Sequence, residues 1–274
     1  MREEFGQAVF LSPFKGRIQP DYNHPLFIQA ISDCERLLSS PSCRILHKGR
    51  NRVGTLPLSQ KNGKRVEIVI KEFHSRGVNK LKSIFLRGKA FKAWSCAHAL
   101  LERGIETPFP VAYLEKRKNL FLDRSFYLSE RIIGVEEIRS LFRNLPPPEL
   151  QNLVIFLSSH LLSCHKKGIL HRDLSDGNIL VKEDNKRRYK FYLIDTNRIK
   201  IKRRINLLQK IKNLIRLGIP PHAQRFFLAK YLGSRDVKKY IWLWYWMNKR
   251  SYSLYVEFKR KLRLRKLAQK LRIQ

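Results

Sequence analysis

The sequence predicts an α+β chain in two parts, a small antiparallel sheet lobe with one helix followed by a mainly helical lobe. Two observations lead to this fold class. Strand-like runs separated by one long helix fill residues 43–132, and helical periodicity dominates residues 133–274. The chain has 274 residues, of which 43% are hydrophobic, so it can bury a sizeable core. Residues 1–42 are interpreted as an N-terminal extension, because three prolines interrupt them: Pro13, Pro20 and Pro25.

Five strands and one helix are predicted in the first lobe. In chain order they are strands 43–47, 53–58 and 66–73, helix 80–103, and strands 111–114 and 121–132. Within Lys61–Lys64 the Asn-Gly pair suits a hairpin turn, since both residues tolerate positive φ. Gly104 is placed to cap the helix at its C-terminus.

Helices dominate the predicted second lobe, with one pair of strands between them. The predicted elements are helices 134–143 and 149–167, strands 179–182 and 189–195, and helices 206–217, 223–231 and 253–274. The three prolines of 146–148 break the chain between the first two helices. An aromatic run, Ile241–Met247, precedes the last helix.

The charge of the chain is extreme, with a formal net charge of +35. After Asp195 the 79 remaining residues hold 23 lysines and arginines against two acids, Asp236 and Glu257. Such an excess implies a polyanionic partner: nucleic acid, an anionic membrane surface or a phosphorylated substrate. The four cysteines form no CxxC pair, and no run of about 20 apolar residues is present. Zinc chemistry, a disulfide framework and a membrane span are therefore not expected.

The segment Gly168–Val181, followed by Phe191–Arg198, carries the candidate chemistry. Asp173 and Asn178 stand five positions apart on a loop, and Asp195 follows after a strand–turn–strand. Phosphoryl transfer needs a carboxylate beside the attacking hydroxyl and oxygen ligands for Mg²⁺. The pattern resembles the catalytic loop and metal-binding strand of the protein-kinase-like superfamily, and Val69-Ile-Lys-Glu72 resembles its nucleotide-binding strand.

The resemblance implies a role for each matching residue, with ATP and Mg²⁺ as cofactors. Asp173 would accept the substrate proton or orient its hydroxyl, and Asn178 and Asp195 would bind metal. Lys71 would contact the α- and β-phosphates, and Val69 would line the adenine pocket. The cofactor contacts are completed by a turn from Gly49 to Gly54, where Arg50 and Arg52 could meet phosphate, and by a hinge at 129–132 that includes Glu130.

Three further segments resemble the bacterial lipopolysaccharide kinases: Lys89–Trp94, Leu100–Pro108 and Leu193–Arg198. These enzymes phosphorylate 3-deoxy-D-manno-octulosonic acid or heptose of the inner core, so the resemblance implies a lipid-anchored sugar acceptor. We therefore expect a cytoplasmic protein in peripheral contact with the inner face of the inner membrane. A basic helix with apolar residues suits such an interface. Its residues are Phe258, Lys259, Arg260, Lys261, Leu262, Arg263, Arg265, Lys266 and Leu267.

Departures from the kinase pattern keep other functions open. Ala93 occupies the helix position where a kinase glutamate pairs with the strand lysine, and Glu102 lies over two turns later. Asn197 replaces a glycine that follows the metal-binding aspartate in protein kinases. An atypical serine/threonine protein kinase and a catalytically weak, nucleotide-binding pseudokinase scaffold remain as alternatives. A nucleic-acid binder rests on charge alone and is disfavoured, and the sequence does not give the oligomeric state.

Overall fold

A computed structural model describes residues 5–49, 51–74, 87–118, 121–184 and 188–270, with side chains described as far as residue 262. Its backbone divides into two compact units. The first comprises Met1–Val135 and Tyr192–Ile199, and the second comprises Glu136–Phe191 and Lys200–Gln274. The predicted mixed fold of an antiparallel sheet followed by a helical region is confirmed.

The first unit is built on a seven-stranded sheet with the order β1-β2-β6-β7-β5-β4-β3. All of its strand pairs are antiparallel. The strands are β1 (Gln7–Leu11), β2 (Phe14–Ile18), β3 (Arg44–Lys48), β4 (Arg52–Ser59), β5 (Arg65–His74), β6 (Pro110–Lys118) and β7 (Phe121–Glu130). The five strands predicted for this half correspond to β3 through β7.

Strands β1 and β2 and two short helices, α1 (Pro25–Ile31) and α2 (Cys34–Ser39), lie where the sequence predicts no element. The three prolines that suggested an irregular segment occupy places that tolerate the missing N–H group. Pro13 lies between the two strands, Pro20 opens a turn of 3₁₀ helix, and Pro25 is the first residue of α1. Reading the prolines as interruptions was therefore wrong for residues 7–39.

Each face of the sheet packs against different helices, as the alternation of side chains along a strand requires. Ile68 and Ile70 of β5 belong to a core that contains residues of α1 and α2. Phe73, on the other face of β5, packs with α3 (Lys89–Leu101), whose buried positions include Ala93 and Trp94. Lys71 has the same parity as Phe73 and therefore lies on the α3 face of the sheet.

In the second unit the helices are α4 (Ile138–Asn144), α5 (Pro147–Lys166), α6 (Leu207–Leu214), α7 (Pro221–Leu232) and α8 (Lys239–Lys270). Strands β8 (Glu136–Glu137), β10 (Ile179–Glu183) and β11 (Tyr189–Leu193) form one sheet, and β9 (Ile169–His171) pairs with β12 (Ile199–Ile201). Helix α5 buries residues at helical spacing, which explains its apolar periodicity: Leu150, Leu153, Val154, Leu157 and Leu161.

Three helix predictions change at their ends. Residues 80–86 of the predicted helix 80–103 lie outside the described part of the chain, and α3 covers 89–101. The predicted helix 134–143 starts later, because Glu136 and Glu137 pair with β10 as a strand. The aromatic run at 241–247 and the predicted basic helix form one continuous helix, α8. No helix in the described residues is both long and apolar enough to cross a bilayer.

Candidate phosphotransfer site

Lys71 and Asp195 form an ion pair within the first unit, although 124 residues separate them in the sequence. Lys71 lies in β5 between Val53 of β4 and Tyr127 of β7. Its Nζ contacts Asp195 Oδ1 and lies 5.3 Å from the centre of the Phe73 ring. Both charged side chains are mostly shielded, with 22% and 20% of their surface exposed. The structure thus joins a cation and a carboxylate that the sequence assigns to the same nucleotide.

Asp195 adopts a left-handed backbone conformation with φ 59° and ψ 43°. It is the one non-glycine residue with positive φ among the described residues. Such a conformation costs about 1–2 kcal/mol for most residues, although aspartate tolerates it better than most. A strained backbone persists only where its surroundings hold it, and strain of this kind clusters at functional sites.

Hydrogen bonds hold the chain on both sides of Asp195. Before it, the Leu193 N–H donates to the Glu106 carbonyl at 3.0 Å. The Thr107 hydroxyl donates to the Leu193 carbonyl at 2.7 Å. After it, the Thr196 hydroxyl donates to the Ala93 carbonyl of α3 at 2.9 Å. These bonds fix the position from which the Asp195 carboxylate meets Lys71.

Ala93 contacts Thr196 through its backbone carbonyl. Ala93 is buried in α3 and has no side chain that could pair with Lys71, as the sequence indicates. Helix α3 instead positions Asp195 through its backbone, because the Ala93 carbonyl accepts a hydrogen bond from Thr196, the next residue after Asp195. Glu102, the distant substitute, follows the last residue of α3 and lies 4.0 Å from Arg103. Asp195 is thus the acid that orients Lys71.

Two of the remaining first-unit candidates, Val69 and Gly54, lie in the same sheet. Val69 is half-buried and pairs with Thr55 and Ser129 in the neighbouring strands. Gly54 lies inside β4, where an added Cβ would come within 2.5 Å of Cys43 Sγ, so close packing already requires glycine there. Gly49 follows β3, and Arg50 lies outside the described residues.

Glu130 ends β7, and its side chain and N–H both have partners within the unit. The Tyr22 hydroxyl donates to the Glu130 carboxylate at 2.7 Å, and burial together with this bond raises the pKa of Tyr22. The Glu130 N–H donates to the Phe109 carbonyl at 2.9 Å, and the Arg131 N–H donates to the Glu67 carbonyl at 2.7 Å. Two of the backbone donors of the predicted hinge are therefore already used.

The predicted catalytic loop lies in the second unit and is closed by its own hydrogen bonds. Asn178 Nδ2 donates to the Asp173 carbonyl at 2.7 Å and to Ser175 Oγ at 3.1 Å. These two bonds fix which end of the amide is nitrogen, and they leave Oδ1 as an acceptor. The Ser175 N–H also donates to the Asp173 carbonyl at 2.7 Å. Asp173 and Asn178 are thereby held together, as their spacing predicts.

A chain of hydrogen-bonded side chains, Asn213, His165 and Tyr231, contacts the backbone at the start of this loop. The Asn213 amide donates to the His171 carbonyl at 2.7 Å, and its Oδ1 lies 3.0 Å from His165 Nε2. His165 Nδ1 lies 2.6 Å from the Tyr231 hydroxyl. Burial lowers the pKa of His165 to about 4, so this imidazole is neutral at pH 7. Within the described residues, no group of three or more histidine, cysteine, aspartate or glutamate side chains is placed to hold a metal ion.

Arg216 is a residue of this loop environment that the sequence analysis missed. Its Nη1 donates to Asp173 Oδ1 at 2.7 Å. The residue follows α6 in a tract rich in lysine and arginine, where nothing in the local pattern distinguishes it from other basic side chains. Only the fold reveals that Asp173 has a cationic partner.

The fold is that of the protein-kinase-like proteins, and the class is that of phosphotransferases. A solved structure described as "WaaP in complex with acyl carrier protein" matches 80% of this chain and 92% of that chain, with a TM-score of 0.57 and 18% sequence identity. A comparison with protein families matches residues 78–238 to the lipopolysaccharide kinase (Kdo/WaaP) family. The chain belongs to this family, and the predicted resemblance is confirmed. A search of curated proteins gave no match.

Proposed function

We propose that the chain is an ATP- and Mg²⁺-dependent kinase that transfers the γ-phosphate to a sugar hydroxyl of the lipopolysaccharide inner core. Membership of the lipopolysaccharide kinase family supports a sugar kinase of this core. The observation that carries the proposal further is the contact between Lys71 and Asp195. The two side chains come from separate segments and are mostly shielded from water. The lysine is complementary to the anionic phosphates of a magnesium–nucleotide complex, and the aspartate is complementary to its magnesium ion.

The nucleotide contacts follow from this pair. As the kinase resemblance implies, Lys71 would bind the α- and β-phosphates, and Asp195 and the Oδ1 atom of Asn178 would hold magnesium. The oxygen donors fit this ion, because magnesium prefers carboxylate and amide oxygens. When bound, magnesium neutralises the charge that develops on the transferred phosphoryl group. Without a nucleotide, Lys71 and Asp195 neutralise each other, which keeps both side chains in place.

Adenine binds at the end of β7, beside Val69. The N–H groups of Glu130 and Arg131 already have partners, so the backbone donor for adenine comes from Ile132. The Glu130 carboxylate accepts a hydrogen bond from Tyr22 and so supports this hinge without contacting the nucleotide. Gly49 lies in the turn before β4, which would cover the phosphates, whereas Gly54 lies within β4 and is required for packing against Cys43.

Asp173 is the general base for the acceptor hydroxyl. Arg216 binds its Oδ1 atom, and the Oδ2 atom is left for the proton of the attacking hydroxyl. A positioned base of this kind contributes about 10²–10⁴-fold to the rate. The acceptor is 3-deoxy-D-manno-octulosonic acid or heptose on a lipid anchor, as the family resemblance implies.

Helix α8 brings the enzyme to its lipid-anchored acceptor at the cytoplasmic face of the inner membrane. Several large apolar side chains of this helix are exposed: Tyr240, Leu243, Met247, Leu254, Tyr255 and Phe258. Lys259, Arg260 and Lys261 follow them and are also exposed. Aromatic and apolar groups next to cations suit an interface with anionic headgroups. The side chains of Arg263, Arg265, Lys266 and Leu267, which the sequence adds to this surface, lie beyond the described side chains.

A vesicle-binding experiment tests the membrane contact. Each cation near an anionic surface contributes about 1 kcal/mol, so K259Q/R260Q should weaken binding to vesicles of anionic phospholipid about 30-fold. K61Q/K64Q removes the same charge from an exposed turn of the first unit and serves as the matched control. Equal losses in both variants would show a general charge effect and contradict a specific role of α8.

The test of the kinase function uses radiolabelled ATP with lipid extract and with protein extract. Label in lipopolysaccharide that requires Asp173 supports the proposal, and label in protein identifies an atypical protein kinase instead. ATP binding without transfer to any acceptor would identify a pseudokinase scaffold. In cells, mass spectrometry of lipopolysaccharide from a deletion strain should show the loss of one phosphate. Unchanged lipopolysaccharide would contradict the proposed acceptor.

A further inference from the structure

The loop that carries Asp173 has no cation of its own on the C-terminal side. The eight residues 174–181 hold no lysine or arginine, and their acid, Asp176, is bound by Arg139 at 3.2 Å. The cation that reaches Asp173 is Arg216, from a segment 43 residues later. Since a guanidinium cannot be deprotonated in proteins, it remains a hydrogen-bond donor throughout a reaction cycle.

The backbone around Arg216 is held by helix α8. Lys249 Nζ donates to the Leu217 carbonyl at 2.7 Å and to the Ile215 carbonyl at 3.2 Å, so one ammonium group ties down the residues on both sides of Arg216. Burial lowers the pKa of Lys249 to about 8, which agrees with its enclosed position. The Arg216 guanidinium also lies 5.1 Å from the centre of the Tyr252 ring, one turn further along α8.

Among the described residues, the Arg216 side chain contacts Oδ1 of the Asp173 carboxylate and not Oδ2. Arg216 donates a single hydrogen bond to Oδ1, rather than the two parallel bonds that an arginine–carboxylate pair often forms. The Asp173 backbone is fixed separately, because its N–H lies 3.2 Å from His171 Nδ1 and its carbonyl accepts from Asn178 and Ser175. The rotation of the carboxylate is therefore set by Arg216.

We propose that Arg216 is a positioning residue for Asp173, and that α8 holds it in place through Lys249 and Tyr252. This inference rests on the proposed function, in which Asp173 is the base. It assigns α8 a role in the chemical step that is separate from its exposed apolar surface. Arg216 acts through Asp173 and is not assigned a contact with the sugar or the nucleotide.

Steady-state kinetics with a double-mutant cycle test the inference. R216A should lower kcat about 100-fold, because a misplaced reacting group costs about this factor, with the KM for ATP unchanged. Free guanidinium should restore part of the activity of R216A. K249M should lower kcat less than R216A does. The double variant should be no slower than R216A, since both changes disrupt the same contact between Arg216 and Asp173. R225A, which breaks an arginine–carboxylate pair with Asp236 at 2.8 Å, is the matched control and should retain full activity.

Hydrogen exchange separates failure of this inference from failure of the proposed function. In R216A and K249M the amides of residues 171–178 should exchange faster than in the wild type and in R225A. This readout needs no acceptor, so it tests the positioning role even if the wild-type chain transfers no phosphate. Unchanged exchange in R216A, a kcat within twofold of the wild type, or additive losses in the double variant would each overturn the inference.

Discussion

Replacement of Asp195 separates its proposed metal-binding role from its structural one. Asparagine tolerates the left-handed backbone and can still accept a bond from Lys71, so D195N should unfold close to the wild-type temperature. It lacks the negative charge that we propose binds magnesium. The affinity of D195N for ATP should therefore no longer increase when Mg²⁺ is added, whereas the wild type should bind at least about tenfold more tightly, or about 1.4 kcal/mol.

The magnitudes for other substitutions follow from the backbone and the ion pair. D195A loses the bond to Lys71, worth about 1.5–3 kcal/mol, and places alanine in a conformation that costs about 1–2 kcal/mol. D195G loses the same bond but pays only the smaller entropic cost of glycine, about 0.5–1 kcal/mol. D195G should thus be the more stable of the two by about 1 kcal/mol, which corresponds to roughly 2–4 °C in Tm.

Titration calorimetry with ATP, with and without Mg²⁺, combined with thermal unfolding, measures both effects. Metal-free ATP binding should persist in all three variants, because each retains Lys71, which in D195A and D195G is also free of its internal partner. Magnesium-dependent tightening that survives in D195N within twofold would refute the assignment of Asp195 as a metal ligand. Equal Tm values for D195A and D195G would refute the argument from backbone strain.

Three further outcomes are expected. D173A should lower kcat by about 10²–10⁴-fold while ATP affinity, measured by calorimetry, stays near the wild-type value. His165 has its pKa lowered to about 4, so between pH 6.5 and 4 the unfolded chain binds a proton that the folded chain does not. Stability should therefore fall by about 3 kcal/mol as the pH falls through this window, and H165Q should flatten that slope in urea unfolding. Burial raises the pKa of Cys96 and brings that of Cys164 to about 12, so thiol reagents should label these residues slowly until guanidinium chloride is added.

Local sequence patterns were sufficient for most of the elements. The Asn-Gly turn and the β-branched run at 66–73 correspond to β4, β5 and the turn between them, and the apolar periodicity at 149–167 corresponds to α5. These signals are short-range, since they depend on neighbours within one strand or helix. Strands β1 and β2 were not predicted because each is only five residues long, and because β2 pairs with β6, about 100 positions later, while β1 pairs with β2.

From sequence alone, the spacing of Asp173, Asn178 and Asp195, with Lys71 upstream, predicted the kinase-like fold. The segments 89–94, 100–108 and 193–198 predicted the lipopolysaccharide kinase family, and both predictions are confirmed. The tertiary structure alone decided how these groups are held. In place of a glutamate at position 93 it pairs Lys71 with Asp195, next to Thr196, which is bound to a carbonyl of α3, and it gives Asp173 its partner Arg216. The physical reason is that a charged side chain is oriented by whatever packs beside it, and those neighbours come from distant segments whose approach no local pattern encodes.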